Sequence, residues 1–454
     1  MIGRNVSILL LTLGLAACVP AGQPEVATRS GLLSDPLPPM KRFVASSPAA
    51  PIRSNQDLAV DFLELSFQME SGRQLPRLTR FETPISVRVA GRPPSTLSPD
   101  LDRLLDRMRR EARVDITRTT RSDANITIQA VSRKDIQRVL PQAACFVAPN
   151  VSTLSEFRSA RRKPQTDWAM LQERERLAIF LPNDASPQEV RDCLHEELAQ
   201  AVGPLNDLYR LPDSVFNDDN VHTVLTGFDM LILRAYYDPT LRSGMSRAAV
   251  AAALPRILAR INPAGKTRAS RGASFTPQAW SKAIQTALGR KIGPDMRLAA
   301  AAEAVRIAEN MGWQDHRRAF AHYAMGRVVQ ARNPEGAQIH YRTADRFYRR
   351  APGTALHRAY VATQLAAYAV TVGDGDRARK LIAPHLAAAE KSENAALLAT
   401  LLLLRAEALA LTGRDEEARR VRLDSIGWAR YGFGPDWVVR AKLREIASLS
   451  PRPS

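Results

Sequence analysis

The rhythm of apolar and polar positions changes character near residue 54 and again near residue 248. Between these points two periods alternate. Ile85-Ser86-Val87-Arg88-Val89 repeats every second residue, as a half-buried strand does. Pro99–Ala112 instead places Leu101, Leu104, Leu105 and Met108 on one helical stripe. Asp115–Thr119 and Asn125–Val131 read as further strands, and Leu177–Leu181 as a short buried one. A helix opens at Ser54-Asn55-Gln56-Asp57, with Leu58, Phe62, Leu65 and Met69 along one side. Ser186-Pro187-Gln188-Glu189 is a capping box with Pro at the first helical position, so a second helix begins there. Its Val190, Leu194, Leu198 and Val202 recur every four residues and bury one stripe. Gly203-Pro204 ends it, with Gly203 expected in a left-handed turn. Lys134–Arg176 shows no period and reads as a long irregular segment.

From Ala248 onward strand signals vanish and helical periodicity dominates. Three similar passages run from Gly336-Ala337 to Ala344, from Asp376-Arg377-Ala378 to Ala387, and from Glu416-Glu417-Ala418 to Ala429. The alanines Ala337, Ala378 and Ala418 lie about 40 residues apart. Each passage follows another helix: Arg317–Ala331, Thr354–Val372 and Asn394–Thr412, the last two ending at Gly373 and Gly413. Met296–Gly312 reads as an incomplete first pair. Paired helices with small residues at their crossing resemble tetratricopeptide repeats, with a period longer than the usual ~34 residues. A plain helical bundle fits the same periodicity.

The start of the chain is a targeting segment: Arg4, the apolar run Val6–Leu13, then Leu15-Ala16-Ala17-Cys18. Such a run is too short for a membrane span. Leu-Ala-Ala-Cys resembles the bacterial lipobox, which implies lipidation of Cys18, a new N-terminus there and a membrane anchor. Val19, where an Asp resembles an inner-membrane retention signal, favours the outer membrane. An ordinary cleaved secretory peptide is the alternative. Ala21–Arg53, rich in Pro, Ala and Ser, reads as a tether. The expected organisation is thus a leader over 1–18, a flexible tether over 19–53, an α+β domain over 54–247, and an all-α domain over 248–454.

Residues Glu196–Asp207, Glu-Glu-Leu-Ala-Gln-Ala-Val-Gly-Pro-Leu-Asn-Asp, carry the candidate chemistry. Their spacing resembles the metzincin zinc-protease signature H-E-x-x-H-x-x-G-x-x-H-D. Glu197 stands at the general-base place, Gly203 at the glycine and Asp207 at the last position. Glu196, Gln200 and Asn206 replace the three histidines. Glu196 and Gln200, four apart, share a helix face, and the turn at Gly203 is expected to return Asn206 to them. The resemblance extends in order over Arg80–Met245. It implies a zincin-like fold with a mixed sheet, Leu177–Leu181 as the edge strand lining a cleft, and Phe216 where the superfamily has its turn methionine. The Glu-Glu-Leu-Ala-Gln-Ala core also resembles an uncharacterised domain family of proteobacterial lipoproteins. Amides and one carboxylate are poor zinc ligands, so no metal and no cofactor are expected. Glu196, Glu197, Gln200, Asn206 and Asp207 then form a hydrogen-bonded network in place of the ion.

Other residues bear on the chemistry less directly. Cys145 and Cys193 form an even pair once Cys18 is acylated, and an oxidising compartment favours a bridge over two free thiols. His195 faces away from Glu196, and His222 lies in a polar loop. Asn217-Asp218-Asp219-Asn220 has oxygen donors but lacks the spacing of a calcium loop, and reads as a turn. Lys plus Arg total 64 against 46 Asp plus Glu, a formal +18. Behind a lipobox this charge points to anionic envelope polymers, and no aromatic-interleaved motif points to nucleic acid. The sequence therefore predicts an envelope lipoprotein facing the periplasm, with an inactive metzincin-like domain and a helical-repeat module for a protein or peptide partner. The alternative is a metal-dependent hydrolase with an atypical ion site and Glu197 as general base.

Overall fold

A computed structural model describes residues 36–43, 48–272, 274–289 and 291–451. The leader and Cys18 lie outside these described residues. Five strands form one mixed sheet: β1 (Ile85–Gly91), β2 (Ile116–Arg118), β3 (Ile126–Val131), β4 (Phe146–Pro149) and β5 (Leu177–Pro182). Their order is β2-β1-β3-β5-β4, parallel except for the antiparallel β4–β5 pair. Helix α1 (Asn55–Ser66) precedes the sheet, and α2 (Leu97–Glu111) crosses over from β1 to β2. Small helices α3 (Arg133–Val139) and α4 (Leu154–Ala160) flank β4, followed by α5 (Pro187–Val202), α6 (Gly227–Tyr236) and α7 (Arg247–Ile261).

Two expectations about the sheet change. Lys134–Arg176 is not irregular: it contains α3, β4 and α4. Their short lengths, 7, 4 and 7 residues, leave too little sequence for a period to appear. The antiparallel edge strand is therefore β4, and β5 lies inside the sheet between β3 and β4. All six residues of β5 are buried because both faces of the sheet are covered there. Ile179 and Leu181 join the main core with Leu101, Leu105, Leu194 and Leu198. Ala178 and Phe180 join a smaller one with Ile136, Phe146 and Leu154.

The capping expected at Ser186 is present: its hydroxyl accepts from the Glu189 backbone N–H at 3.2 Å, and Pro187 is the first helical residue. The end of α5 differs from expectation. Gly203 has φ −139°, outside the left-handed region. A Cβ there would lie 2.5 Å from the Leu233 side chain, so close packing against α6 requires the glycine. A disulfide joins Cys145, just before β4, to Cys193 on α5 across a Cα separation of 5.9 Å.

Beyond α7 the described chain is helical: α8 (Gln278–Leu288), α9 (Pro294–Asn310), α10 (His316–Val329), α11 (Pro334–Arg350), α12 (Ala355–Thr371), α13 (Gly375–Ile382), α14 (Leu386–Lys391), α15 (Ala395–Leu411), α16 (Asp415–Phe433) and α17 (Asp436–Ala447). Ala337, Ala378 and Ala418 are all buried. A Cβ on Gly326 would strike the Tyr341 ring at 2.6 Å, which fixes the close approach of α10 and α11. Gly373 and Gly413 follow α12 and α15 at φ +77° and +75°, the left-handed C-terminal position that glycine takes without strain. Helix α7, placed by the sequence with this helical region, instead buries Val250, Leu254, Ile257 and Leu258 in the core of the sheet domain. No helix among the described residues is long and apolar enough to cross a membrane.

The helical region seats against α5. Arg191 is fully buried and donates to the carboxylate of Glu393 at 3.0 Å and to its backbone carbonyl. Gln188 donates to Asn394 Oδ1 at 3.1 Å and accepts from the Ala396 N–H at 2.8 Å. Tyr431 on α16 donates to Asp100 at 2.6 Å. The described part of the expected tether is docked as well: the Lys41 N–H reaches the Gly427 carbonyl, and Phe43 stacks on Trp428. Arg53 pairs with Asp61 and Asp213.

Two outcomes follow for stability. Replacing Cys145 and Cys193 by serine removes a closure of 48 residues and is expected to cost about 4 kcal/mol in chemical denaturation against the oxidised protein. Arg191→Ala leaves the buried Glu393 carboxylate with only the more distant Arg103 guanidinium, at 3.8 Å, and is expected to cost about 3 kcal/mol. Adding Glu393→Gln to that variant recovers part of the loss in the same denaturation assay.

Candidate functional site

Three segments converge on one group of acids. The loop after α1 is closed by a bridge between Gln68 and Gln74, with Gly72 at φ +82°, and it presents Glu70. Helix α5 contributes Glu196, Glu197 and Gln200. The chain beyond α5 adds Asp207, and the turn at 217–220 adds Asp218. Ligating oxygens of Glu70, Asp207 and Asp218 lie within 4.8 Å of one another. Gln200 and Asp207 are within hydrogen-bonding reach of the Glu70 carboxyl.

Local polar contacts hold each segment. Arg174, buried beside the C-terminus of α5, donates to the carbonyls of Gln200 at 2.8 Å, Ala201 at 2.9 Å and Gly203 at 2.7 Å. Those carbonyls have no partner within the helix, and a cation suits that end of the dipole. The 217–220 turn closes through Asn217, whose amide donates to the Leu211 carbonyl at 2.8 Å and to Asp219 at 2.9 Å. Asp219 in turn meets His357 Nε2 on α12 at 2.8 Å. The backbone carbonyl of neighbouring Tyr209 meets His316 Nε2 at 2.6 Å. The helical region therefore braces the loops that carry Asp207 and Asp218.

Gln200 and Asp207 reach Glu70 and the Glu196 charge acts on Asp207, whereas Asn206, expected to join them, does not. Its amide donates to the Glu64 carbonyl at 3.0 Å, and the next N–H upstream, of Leu205, reaches the Leu65 carbonyl at 3.2 Å. Both carbonyls belong to the last turn of α1, where no intrahelical donor is available. Capping that helix turns Asn206 away and leaves Asp207 to face the acids. Glu197 lies behind the group, where the Val147 N–H of the edge strand β4 donates to its carboxyl. His195 faces elsewhere, accepting at Nδ1 from the Leu225 N–H at 3.1 Å. His222 contacts the Pro212 carbonyl at 3.0 Å and lies edge-on to His357. Phe216 is fully buried.

These donors do not fit zinc. The three positions that hold imidazoles in the metzincin signature offer a carboxylate, an amide directed at Glu70 and an amide spent on α1. Zinc favours imidazole and thiolate.

Crowding changes the protonation of the acids. Burial, then the Glu70 and Asp218 charges, pushes Glu196 up to about 7. Burial, with Glu70 and Asp219 nearby, takes Asp218 up to about 6. Burial and the neighbouring acids hold Glu197 and Asp207 well above the usual carboxylate range. Sequence reasoning missed Glu70 and Arg174. Neither sits in a periodic stretch, and nothing local links Glu70 to a helix more than a hundred residues away.

A pH dependence follows. Between its unfolded value of 4.5 and about 7, Glu196 keeps its proton when folded and loses it when unfolded. The folded state then binds more protons, so this contribution is intact below pH 4.5 and lost as the pH rises toward 7. Glu196→Gln is expected to be more stable than the parent at pH 8 by on the order of 2 kcal/mol, and equal to it at pH 4, in chelator-treated buffer. Melting curves across that range measure the difference.

No curated protein and no solved structure matches the chain. Residues 55–256 match the family described as "Protein of unknown function (DUF2927)". That stretch runs from α1 through most of α7 and includes every element that supplies the acidic group. The chain thus carries a DUF2927 domain over the sheet-containing half, which holds the candidate site.

Proposed function

We propose that this chain is a noncatalytic cell-envelope lipoprotein. In this reading a metzincin-like domain keeps the cleft of a protease without its zinc chemistry, and the helical region binds a protein or peptide. The observation that carries it is the fate of the three ligand positions, above all Asn206, whose amide caps α1. The mixed sheet, the antiparallel edge strand beside α5 and the placement of Glu197 support the metzincin likeness. The leader and Cys18 support lipidation and a periplasm-facing anchor, with the outer membrane favoured by Val19. Helices packed in consecutive pairs around Ala337, Ala378 and Ala418 support a repeat module for partner binding. The +18 charge suits a second, weaker attraction to anionic envelope polymers.

The hydrolase alternative draws less support. A general base must be ionised at working pH, and burial beside Glu196 and Glu70 keeps the proton on Glu197. Purified full-length protein, incubated with a denatured protein substrate and zinc or calcium, is expected to generate no new peptide termini by mass spectrometry. A pull-down from detergent-solubilised envelope is expected to retain a discrete partner equally with the parent and with Glu197→Gln. Hydrolysis that disappears in Glu197→Gln, or the lack of any stable partner, contradicts the proposal.

A further inference from the structure

Helix α17 turns a mixed face to solvent. Its Val439, Leu443 and Ile446 are buried in the core of the helical region. Helical spacing puts Trp437, Ala441 and Arg444 together on the opposite side. Trp437 is 72 % exposed, and Ala441 and Arg444 are exposed beside it. Arg440 lies at the edge of the same face, three residues from Trp437. The flanking acids are paired elsewhere, Asp436 with Arg430 at 3.3 Å and Glu445 with Lys442 at 2.8 Å. The face thus presents an indole with cationic charge one turn and two turns away. A single exposed apolar side chain is ordinary, and a second observation gives this one a direction.

The described chain begins at the same corner. Arg430 donates to the Pro38 carbonyl at 2.8 Å, and its guanidinium also holds Asp436, the residue before Trp437. Leu37 is buried in one core with Val439 and Leu443. Pro36 stands 18 positions after Cys18, a span of at most about 65 Å even at full extension. An anchor at Cys18 therefore keeps this corner within that distance of a bilayer. Tethering of this kind gives effective concentrations on the order of millimolar, so a face too weak to bind from solution becomes occupied. The chemistry of the face suits such a surface. Trp settles at the headgroup level of a bilayer, and each Arg near anionic lipid strengthens binding about fivefold.

We propose that the Trp437 face of α17 docks on the bilayer surface. The indole lies at the headgroup level, and Arg440 and Arg444 meet the anionic headgroups of phospholipids. The proposal rests on the reading of Cys18 as a lipid anchor, which brings the face to the membrane. Docking gives the anchored body one orientation, with α17 toward the lipid.

The test uses full-length protein purified from membranes and mixed with vesicles of phosphatidylcholine and phosphatidylglycerol in equal parts. Lipids with brominated acyl chains quench only indoles that reach the bilayer. Trp280 and Trp313 are buried and Trp168 and Trp428 half-buried, so such quenching reports Trp437. Brominated vesicles are expected to quench part of the emission, and Trp437→Phe, a change at an exposed side chain, is expected to abolish that loss. Arg440→Gln combined with Arg444→Gln is expected to weaken docking about tenfold or more, read from the same quenching. No quenching, quenching unchanged in Trp437→Phe, or docking unchanged in the arginine variant overturns the proposal. A dimer in detergent that Trp437→Phe dissociates assigns the face to a second copy and also overturns it. Mass spectrometry of the N-terminal peptide separates the two readings. Acylated Cys18 without quenching keeps the anchor and removes the docking face. Quenching without acylation keeps the face and removes the anchor.

Discussion

The burial of α5 on nearly every side is the constraint around which the rest is arranged. The sheet and the disulfide hold one flank, the helical region another, and the acidic group a third. A helix in that position has no water to satisfy its polar groups, so each needs a partner supplied by the fold. Gln188 and Arg191 find theirs in Asn394 and Glu393, across the junction. His195 accepts from Leu225 and Glu197 from Val147, while the C-terminal carbonyls go to Arg174. Two sequence-distant halves of the chain therefore share one polar scaffold. A buried ion pair such as Arg191–Glu393 adds little net energy over an apolar contact, but removing either member is costly, so it fixes the seating of the halves.

The same constraint bears on the three residues that stand where the metzincin signature has its imidazoles. In a metzincin-type arrangement the ion organises three side chains that would otherwise repel or lie unpaired. Here Asn206 has taken a helix-capping role and Gln200 turns to Glu70. What remains at the centre is acid rather than imidazole, with Asp207 replacing Asn206 as the residue that faces inward. Oxygen donors from outside the signature, Glu70 and Asp218, complete the group.

Local features of the sequence carried much of this architecture. The period-two run at Ile85–Val89 and the stripe of Leu101, Leu104, Leu105 and Met108 declare their elements because one face of each meets the core. Ser186 and Pro187 mark the start of α5 through capping chemistry that needs no tertiary context. The recurring alanines from Ala337 onward mark close helix crossings. What stayed hidden depends on distant partners. The run Leu177–Leu181 reads alike at an edge or in the interior, and only the four-residue β4 decides between them. Gly203 looked like a left-handed terminator, yet its reason is Leu233 on another helix. Asn206 was expected to turn inward because the free carbonyls of α1 that claim it are invisible from the signature alone. Glu70 belongs to a loop with no period, so its place beside Asp207 is a property of the fold.

The central claim is that Asn206 caps α1 and leaves the three signature positions of α5 unable to hold zinc. Anomalous diffraction from crystals soaked in zinc tests it most directly. The account requires no zinc peak among Glu196, Gln200 and Asn206, with the Asn206 amide still donating to Glu64. A zinc peak shared by those last three residues, with Asn206 released from Glu64, contradicts it.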